Sequence, residues 1–373
     1  MAFQHPILWI DQTLTAGLPT DRHPAAYGQL IPLLRSLYVG LTDLHPDEGY
    51  FVRLATHSGI RLPFRAIVTP VPEAVQQAHN LGFRQVILAY QHTGDTAAMK
   101  SLDQAVTLAR RLRLFPALHL TNASDWPADE IIRLWNHQPG FDTPVLAYGD
   151  QDSLLDPLTT VARLTALRHA LPCRLEFHAA NACGLATANA LGAIRAGVRR
   201  IAVAVGGLQQ RPALEELLMI HKKLWNESSP PTLHLTAACR QILTLLDQAP
   251  RRNKSLIGED IFAHESGIHV DGILKDSSLY EPFPPEEVGQ HRRLVIGKHS
   301  GSASLKARFR EWNLELSDPL AERLLTVVRR QAVANRGGVP DPQLWRLYQS
   351  LRTERSYSHG PSHSAPACRH HAP

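Results

Sequence analysis

Eight short apolar runs recur along the first 206 positions, most of them ending near a Gly, Thr, Asp or His: ILWI (7–10), SLYVGL (36–41), FRAIVT (64–69), QVILAY (85–90), FPALHL (115–120), PVLAYG (144–149), CRLEFH (173–178) and RIAVAVG (200–206). Short apolar stretches without clean polar alternation are the pattern of parallel strands covered on both faces. Helical spacing fills the intervals. In LLDPLTTVARLTALRHAL, Leu154, Leu158, Val161, Leu164 and Leu167 recur at steps of three or four and predict one apolar helix face. TANALGAIRAGV predicts a second helix, stopped at Gly197.

Strands alternating with helices eight times predict an α/β fold, a (β/α)8 TIM barrel over residues 1–230. A doubly wound open sheet is the competitor, and the missing GxGxxG turn weighs against it. NESSPPT (226–232) is polar and proline-rich and marks a boundary. Residues 231–355 then read as a C-terminal linker and small helical or irregular subdomains. The His-rich end, 356–373, is poor in large apolar residues and is expected to be disordered. Barrel chemistry sits at the C-terminal ends of the strands. That directs attention to Asp11 through Ala16, Tyr38, Thr121, Asp150, His178 through Ala182, and Gly206 through Arg211.

Composition adds limits. The 373 residues are 44% hydrophobic and 20% charged, an ordinary globular balance. No apolar run reaches the roughly 18 residues of a membrane span, and the N-terminus lacks a basic start followed by an apolar core. Four cysteines without a CxxC pair suit a reducing cytoplasm. The net charge of +5 is spread in short clusters such as ARRLRL and RRNK, which read as solvated surface; no nucleic-acid or membrane partner is expected. Cys183 has nothing nearby in sequence to activate it and is expected as a small buried hydrophobe. Asp11, His119, His178 and Asp150 offer a rebuilt metal site on paper, but hydrogen-bonded groups at a barrel rim are the favoured reading of Asp11 and His178.

A longer pattern carries more. GEDIFAHESGIHVDGILKDSSLYEPFPPEEVGQHRRLVIGKHSG (258–301), together with SLLDPLTTVARLTALR and GLATANALGAIRAGV, resembles the homocitrate synthase and 2-isopropylmalate synthase family, most of all the nitrogenase-associated homocitrate synthases. The resemblance implies a Claisen condensation of acetyl-CoA with a 2-oxo acid such as 2-oxoglutarate. It also implies a divalent Mg, Mn or Zn ion that polarises the ketone as a Lewis acid.

The family's own motifs are eroded in this chain. Where the family writes Asp-x-Thr-Leu-Arg-(Asp/Glu)-Gly-Glu, DQTLTAGL keeps Asp11, Thr13, Leu14 and Gly17 but puts Thr15 for the arginine and Ala16 for the metal carboxylate. Where it writes His-x-His-Asn-Asp-x-Gly, HAANACG keeps His178, Asn181 and Gly184 but has Ala180 and Ala182. Where it writes Gly-x-Gly-Glu-Arg-x-Gly-Asn, this chain keeps Gly207 and Arg211, has Gln209 and Gln210, and is shorter, so the asparagine ligand is gone. The acidic pair of the fifth strand is Thr121 and Asn122, and the loop after the fourth strand is also shorter.

His178 is thus the only retained metal ligand, and no bound metal cofactor is expected. By resemblance, His269 is an acid/base group supplied to the partner subunit's barrel mouth, Tyr280 reaches the same site, and Asp11 and Arg211 are weak candidates for substrate contact. The expectation is a cytoplasmic homodimer of this family, a pseudoenzyme acting as a scaffold or modulator and able to form a mixed dimer with an active paralogue. Val270, Ile273, Leu274 and Phe283 are the apolar candidates for the dimer contact. The rivals are an active acyltransferase making homocitrate or a related 2-hydroxy acid, and a metal-free protein binding acyl-CoA or a 2-oxo acid.

Overall fold

A computed structural model describes residues 6–16, 28–46, 63–137, 140–225, 232–266, 272–273, 276 and 280–357. Each apolar run forms or overlaps a strand: β1 (Leu8–Asp11), β2 (Val39–Leu44), β3 (Phe64–Val68), β4 (Gln85–Tyr90), β5 (Phe115–Leu120), β6 (Val145–Asp150), β7 (Arg174–Ala179) and β8 (Arg200–Val203). Neighbours in sequence are neighbours in the sheet, and β8 pairs in parallel with β1 to close the barrel. The predicted (β/α)8 architecture is the one observed.

Two local expectations shift. The second strand starts three residues later than the apolar run suggests. Ser36 ends helix α1 (Leu30–Ser36), and Tyr38 turns with a left-handed backbone (φ 62°) before β2 begins. Tyr38 therefore lies at the start of the strand, away from the mouth, and Thr42 and Asp43 belong to the strand instead.

Among the described residues of this unit, the helices that follow are α2 (Pro72–Asn80), α3 (Thr96–Arg111), α4 (Ala128–His137), α5 (Pro157–Ala170), α6 (Ala186–Arg195), α7 (Leu214–Trp225) and α8 (Leu235–Leu245). In α5 the buried stripe is Thr160, Leu164 and Leu167, while Leu154 precedes the helix and Leu158 is 82% exposed. The predicted stripe started too early. Asp156 caps the helix by accepting from the Leu158 and Thr159 amides, and Pro157 fixes its first turn. Helix α6 stops at Gly197 as predicted. Gly197 has φ +94°, and the Val198 and Gly197 amides return to the Ala193 and Ile194 carbonyls.

The chain divides into two compact units between Ile261 and Phe262, not at the proline-rich stretch near 230. The physical reason is α8, whose face of Leu235, Ala238, Cys239, Ile242 and Leu243 is buried in the first unit. In the second unit, β9 (Ala263–His264) pairs in parallel with β10 (Arg293–Leu294). Helices α9 (Ser302–Glu311), α10 (Asp318–Asn335) and α11 (Asp341–Tyr357) enclose a separate core around Leu305, Phe309, Leu324, Val328 and Leu344. Helix α11 runs to Tyr357, two residues into the expected tail; residues 358–373 lie outside the described set. Among the described residues, no helix is long and apolar enough to cross a membrane.

Candidate active site

The C-terminal ends of the strands surround a cavity of about 610 Å³. Its wall includes Thr15 and Ala180, the residues that stand at the eroded motif positions, and also His119, Thr121, His178 and Arg211. No carboxylate lines it among the described residues.

Beneath this mouth the barrel interior holds a polar cluster that apolar patterning hides. Arg65 on β3 is 1% exposed. It donates from Nε and Nη2 to Asp43 on β2 (2.7 and 3.0 Å), and from Nη1 and Nη2 to Glu176 on β7 (3.0 and 2.6 Å). Arg200 adds a bond from Nε to Glu176 at 3.0 Å. Burial alone would raise the Glu176 carboxyl, but Arg65 and then His178 outweigh it and hold it well below the ordinary carboxylate range. The cluster brings opposite charges together with bidentate geometry, the arrangement that makes a buried ion pair tolerable.

The placement of His178 decides what the mouth can hold. Gln12 Nε2 donates to Asp43 Oδ2 at 2.9 Å and contacts His178 Nδ1 at 3.2 Å. An amide nitrogen only donates, so Nδ1 accepts and the ring proton lies on Nε2. That Nε2 donates to Glu176 Oε1 at 2.6 Å. Both ring nitrogens are therefore engaged. Asp43, Glu176 and His178 do bring three possible ligand atoms within 4.8 Å of one another. Arg65 already holds both oxygens of each carboxylate, and a divalent ion there would face its fixed positive charge.

The remaining motif positions offer nothing in exchange. Thr15 turns its hydroxyl to the Gln12 carbonyl (2.8 Å), and Ala16 ends the short 3-10 turn Thr13–Ala16. Asp150 accepts from the Leu154 and Leu155 amides (2.8 and 3.4 Å) and closes its own loop. Asn122 clamps the His92 backbone from both sides (3.0 and 3.1 Å). Asn181 accepts from the Ala186 amide (3.0 Å) at the start of α6. Among the described residues, the donors present do not fit a catalytic divalent metal, which takes about three protein ligands with free lone pairs.

The structure brings three of the five candidate site residues to the mouth or its floor. His178 and Arg211 line the cavity. Asp11 is fully buried at the end of β1, with Oδ1 accepting from the Thr13 amide (3.1 Å) and hydroxyl and Oδ2 unpartnered. Tyr280 belongs to the second unit and is 40% exposed. His269 lies outside the described residues, as do Val270 and Leu274. Phe283 stacks edge-on against Phe262 of its own unit, with ring centroids 5.9 Å apart. Cys183 is exposed, not the buried hydrophobe expected, because it sits in the loop before α6; Cys239 is the buried one.

Asp43, Arg65, Glu176 and Arg200 were missed as a group by patterning. Their only sequence signal is a charge inside an otherwise apolar strand: VGLTDL, FRAIV, RLEFH and RIAV.

Comparison with known proteins fits this geometry into a family. Residues 256–336 match the family described as homocitrate synthase post-HMGL domain-like, and residues 83–239 match the family described as HMGL-like. The chain is 31% identical to 2-isopropylmalate synthase 2 of Caldanaerobacter subterraneus subsp. tengcongensis over 94% of its own length and 98% of that protein's. It is 37% identical to homocitrate synthase 1 of Nostoc sp., there spanning 56% of each chain. A hydroxymethylglutaryl-CoA lyase structure from Pseudomonas aeruginosa superposes with a TM-score of 0.54 at 14% identity, covering 67% of this chain and 96% of that one, a likeness of fold. With its closed eight-stranded barrel and the C-terminal match, the chain belongs to the homocitrate synthase and 2-isopropylmalate synthase family, whose members condense acetyl-CoA with 2-oxo acids.

Proposed function

We propose that this chain is a family member that no longer catalyses the condensation, and that it serves as a dimer-forming scaffold or modulator of an active relative. One observation carries the first half: His178, the single metal ligand kept from the family motif, has both ring nitrogens taken by Gln12 and Glu176. The substrate-clamping arginine and the metal carboxylate have become Thr15 and Ala16, which cannot replace either. Losing a Lewis acid that contributes several kcal/mol to the transition state slows such a reaction by orders of magnitude.

The test is release of free CoA from acetyl-CoA with 2-oxoglutarate or 2-oxoisovalerate, with Mg²⁺, Mn²⁺ or Zn²⁺ supplied. Release at the background rate is expected, and so is a metal content far below one ion per chain once the His-rich tail has been stripped. Robust, metal-dependent release lost on His178→Ala would sink the reading.

The scaffold half rests on residues 258–301, where the family pattern is kept most fully although none of the described residues there belongs to a barrel strand. A dimer held by such a segment is expected to bury on the order of 2,000 Å² or more. Light scattering on the full chain should then give twice the monomer mass at micromolar concentration. A monomer at that concentration would remove the scaffold and mixed-dimer readings together.

A further inference from the structure

The end of the barrel away from the mouth is basic. In a closed parallel barrel every strand starts at that end and every helix returns to it. Arginines fill the returns. Arg84 precedes β4, Arg113 precedes β5, which begins with the exposed Phe115, and Arg174 is the first residue of β7. Arg110 and Arg111 close α3, Arg168 lies in the last turn of α5, and Arg195 ends α6. Contacts tie these returns into one rim. The Phe115 amide donates to the Arg84 carbonyl (2.9 Å), and the Arg174 amide to the Pro144 carbonyl (3.1 Å). Arg110 donates to the Asp142 carbonyl (2.9 Å) and Arg168 Nε to the Ala196 carbonyl (3.0 Å). Arg195 lies over the Trp225 ring at the end of α7, 5.2 Å from its centroid. Among the described residues of the turns that lead into β4 through β8, Asp142 is the one carboxylate, and Arg110 pairs with it at 3.1 Å.

Part of this charge belongs to the fold. Each helix brings a partial negative charge of about one half to this end, and basic residues in its last turn offset it. Arg110, Arg111, Arg168 and Arg195 fill that role. Arg84, Arg113 and Arg174 stand beyond the helix ends, are exposed, and pair with no carboxylate of the described residues. They are a surplus that helix ends do not explain. Apolar side chains protrude at the same end. Phe115 is 45% exposed, Leu224 in the last turn of α7 is 55% exposed, and Tyr38, whose amide donates to the Arg35 carbonyl after α1, is 40% exposed.

We propose that this end of the barrel docks on an anionic lipid surface. A bilayer presents its phosphates in one plane. The strand starts of a barrel also lie around one plane, so guanidinium groups on successive turns reach the phosphates together. The guanidinium fork matches phosphate oxygens in pairs. Phe115, Tyr38 and Leu224 then enter the boundary between head groups and acyl chains. A single-stranded nucleic acid could use the arginines and the two rings, but Leu224 has no face on which a base can stack, and that favours lipid. In the sequence these arginines fall in separate short clusters, ARRLRL among them, that read as solvated surface; the barrel gathers them at one end. Docking by this end leaves the mouth facing away from the membrane, so the inference stands apart from the loss of condensation.

The experiment is co-sedimentation of the full-length protein with phosphatidylcholine vesicles, plain or with about 30% phosphatidylglycerol, at about pH 8 so that the histidines of the tail are neutral. The protein should pellet with the anionic vesicles only, and raising the salt from about 0.1 M to about 0.5 M should release it. The triple variant Arg84→Gln, Arg113→Gln, Arg174→Gln should bind about ten-fold more weakly or worse. A control of equal net charge, Arg310→Gln, Arg330→Gln, Arg346→Gln in the second unit, should bind like the wild type. Both triple variants change exposed side chains, so each should melt within about 2 °C of the wild type, which shows that they fold. Phe115→Ser should weaken binding several-fold without altering its salt dependence. Three results would each overturn the proposal: no binding to anionic vesicles, equal loss in the two triple variants, or a single-stranded oligonucleotide bound more tightly than the vesicles and lost in the first triple variant. The last would make this end a nucleic-acid surface.

Discussion

Arg65→Met should cost about 3–5 kcal/mol of stability, enough to shift the urea midpoint of the barrel strongly or to prevent its folding. The substitution keeps the volume close but leaves Asp43 and Glu176, both 0% exposed, without the guanidinium that spans them. Arg200 and His178 still reach Glu176, so the heavier loss falls on Asp43, whose remaining side-chain partner is Gln12. Glu176→Gln alone should cost less. The double variant Arg65→Met with Glu176→Gln should be more stable than the sum of the single losses predicts, by about 1 kcal/mol or more, because the two residues act through one network. Additive losses would show that the cluster is not a coupled unit. Since a soluble Arg65→Met variant is not assured, the single Glu176→Gln variant and Arg65→Lys keep the test open. Lysine retains the charge but cannot reach two carboxylates in bidentate fashion, so it should recover only part of the loss.

That cluster also marks the limit of what the sequence could reveal. The eight strands were readable because parallel barrel strands are covered on both faces and leave near-continuous apolar runs. The errors came where polar residues entered an element. Thr42 and Asp43 hide the real extent of β2, so the apolar run SLYVGL points three residues too early. Leu154 and Leu158 fell at helical spacing but lie outside the packed face of α5, which the Asp156 cap starts later. At the site, the loss of motif residues could be read directly, because alanine offers no lone pair wherever it is placed. What took over from them could not. The ring of His178 faces Gln12 across 166 positions and shares Glu176 with Arg65 across 111, and neither pairing leaves a trace in spacing. The sequence favours a hydrogen-bonded remnant at His178, and the structure supplies what spacing cannot: the partners, Gln12 and Glu176, that take its two nitrogens.

Asp11 should make the protein lose stability as the pH rises from about 5 to 8, against the usual behaviour of a buried acid in an ion pair. Burial raises its carboxyl from 3.8 to about 7, with the hydrogen bonds from Thr13 opposing and the nearby charge of Asp43 adding a little. In the unfolded chain the group titrates near 3.9. Between those values the folded chain holds a proton that the unfolded chain has released. Stability then falls with pH across the window, by up to about 1.4 kcal/mol per unit, and the full penalty, on the order of 4 kcal/mol at most, stands above pH 7. Glu176 works in the other direction: its depressed carboxyl contributes stability above the ordinary Glu range that disappears as the pH falls toward acid. The two effects leave an optimum on the acid side of neutrality. Urea unfolding of the wild type and Asp11→Asn at pH 5, 6, 7 and 8 separates them. The asparagine still offers an oxygen to the Thr13 amide and hydroxyl but carries no proton to lose, so its curve should be nearly flat across that range. The slope is the readout, because the new amide brings buried N–H groups of its own. Equal slopes in the two proteins would mean that the Asp11 carboxyl is ionised throughout and that the pair with Thr13 stabilises its charged form.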